Sequence, residues 1–184
     1  KCASPVSGKI EAIVRGEKRR IMEVIISADS ETQYESSGAM DLSSMSNEAV
    51  KDAILASGLW LCIKQRPLDI VANPKNEAKA IFVSAFDSSP LAPDFDYVLH
   101  GKNEEFQKGL DALAKLTSGK VHLTLNGKVS ADSTFTDAKG VEINKISGKH
   151  PAGNVGTQIH HIDPVNKGEF VWTVNAQDVA LIGR

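Results

Sequence analysis

Lys79-Ala80-Ile81-Phe82-Val83-Ser84-Ala85-Phe86 is the stretch on which the fold turns. Its apolar residues run on without the alternation of a half-buried strand, and Ile81, Phe82 and Val83 favour extended backbone. The run predicts a central parallel strand covered on both faces. Asp87-Ser88-Ser89-Pro90-Leu91-Ala92-Pro93-Asp94 leaves it as a loop, since prolines and short polar side chains suit turns. The carboxyl end of such a strand is where open α/β sheets bind ligands.

Upstream, Ser46 reads as the N-cap of a helix with Glu48 in its first turn. Val50, Ala53, Ile54 and Ser57 fall at i, i+3, i+4 and i+7, and Gly58 ends it. Residues 59–63 are too short a run to assign, and Pro67 closes it. Downstream, Asn103 reads as a cap, Phe106, Leu110, Leu113 and Thr117 as one helix face, and Gly119 as the terminator. Residues 121–125 alternate through His122 and Thr124 as a strand, Asn126-Gly127 turns it, and 141–146 is another strand. Helix, strand, helix, strand, strand in that order argue an α/β sheet, mixed α+β over the whole chain, with layers on its faces.

Residues 3–28 read as a β-hairpin or a piece of a small barrel. Val6, Ile10, Ala12 and Val14 are spaced by two or four, and Ile21, Val24 and Ile26 return, the step from 21 to 24 being off-period. The charged 15–20 between them suits a solvated tip better than a phosphate or lipid-headgroup contact. The polar, serine-rich 29–45 is a linker. Three segments result: 1–45, a β segment with its linker; 46–148, an α/β domain; and 149–184, which closes the α/β or barrel unit.

Composition narrows the function. The 184 residues suffice for a real core, with 41% hydrophobic and 24% charged residues. A net charge of −2 gives nucleic acid no electrostatic footing. No run reaches the roughly 20 apolar residues of a membrane helix. Cys2 and Cys62 are too few for a disulfide framework or a cysteine-rich metal site, and suit a reducing compartment.

Three of the five histidines crowd into Lys149-His150-Pro151-Ala152-Gly153-Asn154-Val155-Gly156-Thr157-Gln158-Ile159-His160-His161-Ile162-Asp163-Pro164-Val165. The stretch reads as a loop turning on Pro151 and Gly153, then a short strand over 157–162 stopped by Asp163-Pro164. On a strand, His160 and His161 point to opposite faces and do not share a metal ion. His150 and His160 are then expected to hydrogen-bond loop carbonyls. No serine sits in a Gly-x-Ser-x-Gly elbow, and Cys62 lies in an apolar run that suppresses its thiolate. No phosphate-binding glycine motif follows a strand. The residues alone offer no autonomous active site, and an exposed patch at Trp60 or Trp172 would mark a docking face.

The pieces have a resemblance. His150-Pro151-Ala152-Gly153, Gly156-Thr157-x-Ile159-His160 and Asp163-Pro164-Val165 are similar to the signature of the NqrA family, a subunit family of sodium-translocating NADH:quinone oxidoreductases. Phe170-Val171-Trp172 and Asn175-Ala176-Gln177-Asp178-Val179 continue it in order. Ala3-Ser4-Pro5-Val6-Ser7-Gly8-Lys9-Ile10 with 15–19, and Lys64-Gln65-Arg66-Pro67 with 70–74 and 80–87, extend it nearly end to end. Gln158, His161 and Thr173 depart from the pattern, which expects a histidine, an aromatic residue and a polar ring there.

This resemblance implies a fragment from the middle of a longer subunit, at the cytoplasmic face of a bacterial inner membrane. It implies a partial barrel-sandwich hairpin of the lipoyl- and biotinyl-carrier kind, without the carrier lysine. After it would come an α/β domain similar to the flavin domain of the complex I 51-kDa subunit, with bulky residues at 57–62 in place of its glycine-rich flavin loop. Flavins and the iron–sulfur centre would belong to partner subunits, and the chain would bind no cofactor and no metal. His150, Gly153, Thr157, His160 and Asp163 become the candidates for quinone or partner-subunit contact. The rival readings are a free-standing flavin- or dinucleotide-binding oxidoreductase and a purely structural adaptor.

Overall fold

The computed structural model describes residues 4–34, 38 and 40–184. Cys2 and Ala3 of the N-terminal reading, and residues 35–37 and 39 of the linker, lie outside them. The chain forms two compact units, 1–40 and 41–184.

In the first unit, β1 (Gly8–Arg15) and β2 (Ile21–Ala28) pair antiparallel, with Gly8 opposite Ala28 and Ile13 opposite Val24. The register slips between Ile10 and Ala12 and again between Val14 and Arg15, which accounts for the off-period spacing of the returning strand. The tip is a single 3-10 turn, Glu17–Arg19, closed by the Gly16 N–H donating to the Arg20 carbonyl at 2.8 Å. Its charged residues are all exposed.

The second unit is built in chain order from α1 (Asn47–Ser57), β3 (Lys64–Arg66), β4 (Ile70–Val71), β5 (Ala80–Ser84) and α2 (Phe95–Val98). There follow α3 (Asn103–Ala114), β6 (Lys120–Asn126), α4 (Ser133–Thr136), β7 (Glu142–Ile146), α5 (Val155–Ile162), β8 (Val171–Asn175) and α6 (Ala176–Gly183). One six-stranded sheet runs β4-β3-β8-β5-β6-β7. β8, β5, β6 and β7 are parallel, while β3 and β4 add an antiparallel edge. The run at 79–86 is the central strand, as its continuous apolarity predicts.

Alternation along the strands sorts the core into two layers. Ile81, Val83, Leu123, Trp172 and Val174 pack with Val50, Phe106, Leu110 and Val179 from α1, α3 and α6. Ala80, Phe82 and Val171 face the other way, under Ile159, Val155 and Ile162 of α5. Burying a side chain such as Phe82 or Ile81 completely is worth about 2–3 kcal/mol, so covering both faces of β5 anchors the sheet.

The capped helix is as expected at both ends: the Ser46 hydroxyl accepts from the Ala49 N–H, and Gly58 closes it at φ 84°. Three expectations change. Residues 157–162 are helix, because Val155, Ile159 and Ile162 fall at i, i+4 and i+7 and all three pack on β5 and β8. Asn103 is the first residue of α3, not its cap; its amide instead bridges to Ser133 and Thr134 of α4. Gly119 lies past the helix end at a close approach, where a Cβ would come within 1.8 Å of the Lys79 carbonyl oxygen. Trp60 and Trp172 are 3% and 1% exposed and pack edge-to-face at 5.5 Å, so neither marks a docking face.

Candidate functional site

From β5 the sheet grows outward through β6 and then β7, whereas β8, last in the chain, returns on the other side of β5. The connections therefore diverge between β5 and β8, and a crevice opens beyond the carboxyl ends of the two strands. Its volume is about 470 Å3. Ser84, Phe86 and Asp87 reach it from the end of β5, Asn175 from the end of β8, Arg66 from β3 and Phe95 from α2. Gly153, Asn154, Val155, Gly156 and Thr157 complete it.

Two helices begin at this crevice. α5 starts after Asn154 and α6 starts directly after Asn175. The N–H groups of a helix's first turn have no intrahelical acceptor and carry the positive end of the dipole. Arg66 adds a full charge; its Nε lies 3.3 Å from Asp69 Oδ1 yet is buried without a hydrogen-bond partner. Phe86, Phe95 and Val155 provide apolar wall. The arrangement suits a flat apolar group that carries acceptor oxygens.

The loop before α5 is held by a small polar network. Gln158 is fully buried, and its Nε2 donates to the Ser84 hydroxyl at 2.9 Å and to the Gly153 carbonyl at 3.1 Å. Ser84 in turn donates to the Phe86 carbonyl at 2.8 Å. The Ser88 hydroxyl accepts from the Gly153 N–H at 2.9 Å and lies 3.2 Å from His150 Nδ1. Position 153 has to be glycine, for a Cβ would stand 2.1 Å from the Ser88 nitrogen.

The five candidate residues therefore part company. Gly153 and Thr157 line the crevice, and His150 is one hydroxyl removed from it through Ser88. His150 meets a side chain where a loop carbonyl was expected. His160 is exposed, with its ring 5.3 Å from that of His161 on the last turn of α5. Asp163 caps the far end of α5 and pairs with Lys79 at 2.7 Å, at the amino end of β5. That amine also bonds Glu169, and the Asp163 contact foremost holds its pKa above the usual lysine range.

Arg66, Ser84, Asn175 and Gln158 escape the sequence reading. Arg66, Ser84 and Asn175 do sit inside family-like motifs, and Gln158 stands out only as a departure from one, but only the sheet brings them to one crevice. Among the described residues, no three His, Cys, Asp or Glu side chains gather in a metal-binding group. Burial, with Asp178 nearby, pushes the Cys62 thiol up, away from the reactive thiolate. Among them too, no helix is long and apolar enough to cross a membrane.

The family model "NqrA second alpha/beta domain" matches residues 45–184, and "NqrA N-terminal barrel-sandwich hybrid domain" matches 1–29. The NqrA subunit of the Na(+)-translocating NADH-quinone reductase of Yersinia pseudotuberculosis is 40% identical over 183 residues, covering 98% of this chain and 40% of its own. The corresponding protein of Neisseria meningitidis is likewise 40% identical over 183 residues, with the same shares covered. A chain from the crystal structure of an NAD+-reducing NiFe hydrogenase superposes with a TM-score of 0.47 at 15% identity, over 74% of this chain and 30% of its own. The chain spans 40% of the length of the NqrA relatives it matches. Matched by a family model in each of its two units, and similar to NqrA proteins over nearly its whole length, the chain belongs to the NqrA family.

Proposed function

We propose that this chain forms part of the NqrA subunit of a sodium-pumping NADH:quinone oxidoreductase, and that its crevice between β5 and β8 receives the quinone ring. One observation carries the reading: the same crevice is lined by the aromatic and apolar side chains of Phe86, Phe95 and Val155 and by the polar groups of Arg66, Asn154, Thr157 and Asn175. A quinone is a flat ring with acceptor oxygens on opposite edges, and it needs that combination. His150 then acts at second hand, orienting Ser88 and the Gly153 turn. The exposed His160 and the Asp163–Lys79 pair are better placed for contact with a neighbouring subunit. Flavins and the iron–sulfur centre sit on those partners, and this chain lies peripherally at the cytoplasmic face of the bacterial inner membrane. No bond-making step is assigned to this chain's own side chains.

Photo-crosslinking with a quinone analogue tests the reading directly. Label is expected on peptides containing 84–87 and 153–157, and Thr157→Val with Arg66→Gln should reduce it severalfold at unchanged fold. Label that falls wholly on other peptides or other subunits would overturn the crevice assignment and favour an adaptor role. The switch point of an open α/β sheet also accepts flavins and dinucleotides, which keeps a second reading in play. Desalting the chain after adding excess flavin mononucleotide separates the two: a yellow protein with near-stoichiometric flavin would put the flavin enzyme first.

A further inference from the structure

One face of β5, β6 and β8 is apolar throughout, whereas the face beneath α5 turns polar beyond β5. There β6 presents Lys120, His122 and Thr124, and β7 presents Glu142 and Asn144. Strand register sets these side chains in two rows. Ser84, Thr124 and Asn144 lie side by side across β5, β6 and β7, and Phe82, His122 and Glu142 form the next row. The first row starts at the crevice, which Ser84 lines, and the second ends at the half-exposed Glu142. His122 joins the two. It is buried and stacked on Phe82, with Nδ1 3.4 Å from the Asn144 amide nitrogen and 3.7 Å from Glu142 Oε2. Thr124 and Gln158 are fully buried, yet Thr124 Oγ1 and Gln158 Oε1 have no hydrogen-bond partner among the described residues. Gln158 bonds Ser84 through its amide nitrogen and Thr124 is its register neighbour, so an unmet hydroxyl and an unmet carbonyl flank Ser84.

Hydroxyls and imidazole both donate and accept, as a group that passes a proton must. Alternate residues of a strand are about 6.6 Å apart and neighbouring strands about 4.8 Å, so one water closes either gap between His122, Thr124 and Ser84. Buried water is the usual partner of polar groups left unmet in this way. We propose that His122, Thr124 and Ser84, joined by bound water, form the path by which a proton reaches the crevice during quinone reduction. The path presupposes quinone in the crevice. Binding alone asks no bond-making of this chain's side chains; the path adds one step, a proton transfer at Ser84 Oγ. The quinone gains two electrons from a reduced flavin or iron–sulfur centre on a partner subunit. The Ser84 O–H bond breaks as an O–H bond forms on the quinone oxygen beside it, and the other oxygen takes its proton from solvent. Ser84 is reprotonated from Thr124, Thr124 from His122, and His122 from solvent beside Glu142. While Ser84 is turned to the quinone, the Phe86 carbonyl it served keeps the Gln158 amide at 3.4 Å. Burial foremost, helped by Lys120 and opposed by Glu142 and Asp163, lowers the His122 pKa, so the imidazole hands its proton on readily.

The test is the single-turnover rate of quinol formation in the whole oxidoreductase, measured beside quinone-analogue labelling of the same preparations. Thr124→Val removes the middle hydroxyl and should leave the label on 84–87 and 153–157. The rate should fall at least about tenfold, the low end for loss of a positioned proton donor, and its solvent deuterium isotope effect should rise. Thr124→Ser, which keeps the hydroxyl, should restore both. His122→Gln breaks the path at a second point and should slow the reaction alike, with the fold of each variant checked by near-ultraviolet dichroism. Retained label with an unchanged rate in these variants would overturn the path and leave the quinone site standing. So would a rate that falls as far in Thr124→Ser, or falls without any change in isotope effect, since packing would then account for the loss. Label absent from the crevice of the unaltered complex would overturn the path and the quinone site together.

Discussion

Gly153 is the residue on which the crevice depends most tightly. Its nitrogen, its carbonyl and its missing Cβ all face neighbours: the Ser88 hydroxyl, the Gln158 amide and the Ser88 backbone. Because the obstacle to a Cβ is backbone, relief requires the turn to move. Gly153→Ala should therefore lower stability by about 2 kcal/mol, the scale of overpacking, and weaken quinone labelling together with it. Chemical denaturation of the two forms measures the first effect. His122 makes a second case. It is buried, stacked on Phe82 at 4.7 Å, and burial depresses its pKa despite Glu142 nearby. The folded state thus takes up its proton less readily than the unfolded chain does, whose histidine titrates near about 6.5. Stability from this group is present above that value and is lost as pH falls below it. Melting temperatures followed from about pH 7.5 to about pH 5.5 should fall, and His122→Asn should flatten the slope. A slope unchanged by the substitution would assign the acid sensitivity elsewhere.

α5 shows what a helix of eight residues owes to its sheet. At this length an isolated helix is unstable in water, so its contacts with β5 and β8 decide that it forms. Ile159 is its one buried apolar anchor over Phe82, Ala80 and Val171. Ile159→Ala should cost about 2–4 kcal/mol, and should loosen the Gly153 turn because Gln158 is the next residue. Increased amide exchange at 153–158 would register the second effect, and exchange left as it was would separate the helix from the crevice. The same element is where sequence reasoning failed. Thr157 and Ile159 favour strands and the apolar run is short, so local preference and periodicity were evenly matched. Asn103 failed for a related reason. Asparagine caps helices well, but here its amide had better partners in Ser133 and Thr134, which are some thirty residues away in sequence.

Across the molecule the two units are protected very differently. In β1 every residue is exposed, and Ile10, Ile21 and Met22 are more than half exposed. A two-stranded hairpin of this kind is marginal in water, whereas β5, β6 and β8 are buried on both faces. Native-state hydrogen exchange should find the amides of β1 and β2 exchanging orders of magnitude faster than those of β5. Comparable protection in the two would mean that the hairpin is covered in solution.

The sequence by itself determined the covered central strand, the capped α1, the paired strands of the N-terminal β segment and the family. These follow from contiguous signals: an unbroken apolar run, a cap and its glycine, a period of two, and motifs in order. Only the tertiary structure decided the site. Arg66, Ser84, Gly153, Thr157 and Asn175 are spread over more than a hundred residues, and no local pattern links them. They meet because β8 returns on the far side of β5, and that choice of neighbour is a competition among long-range contacts which no single segment encodes.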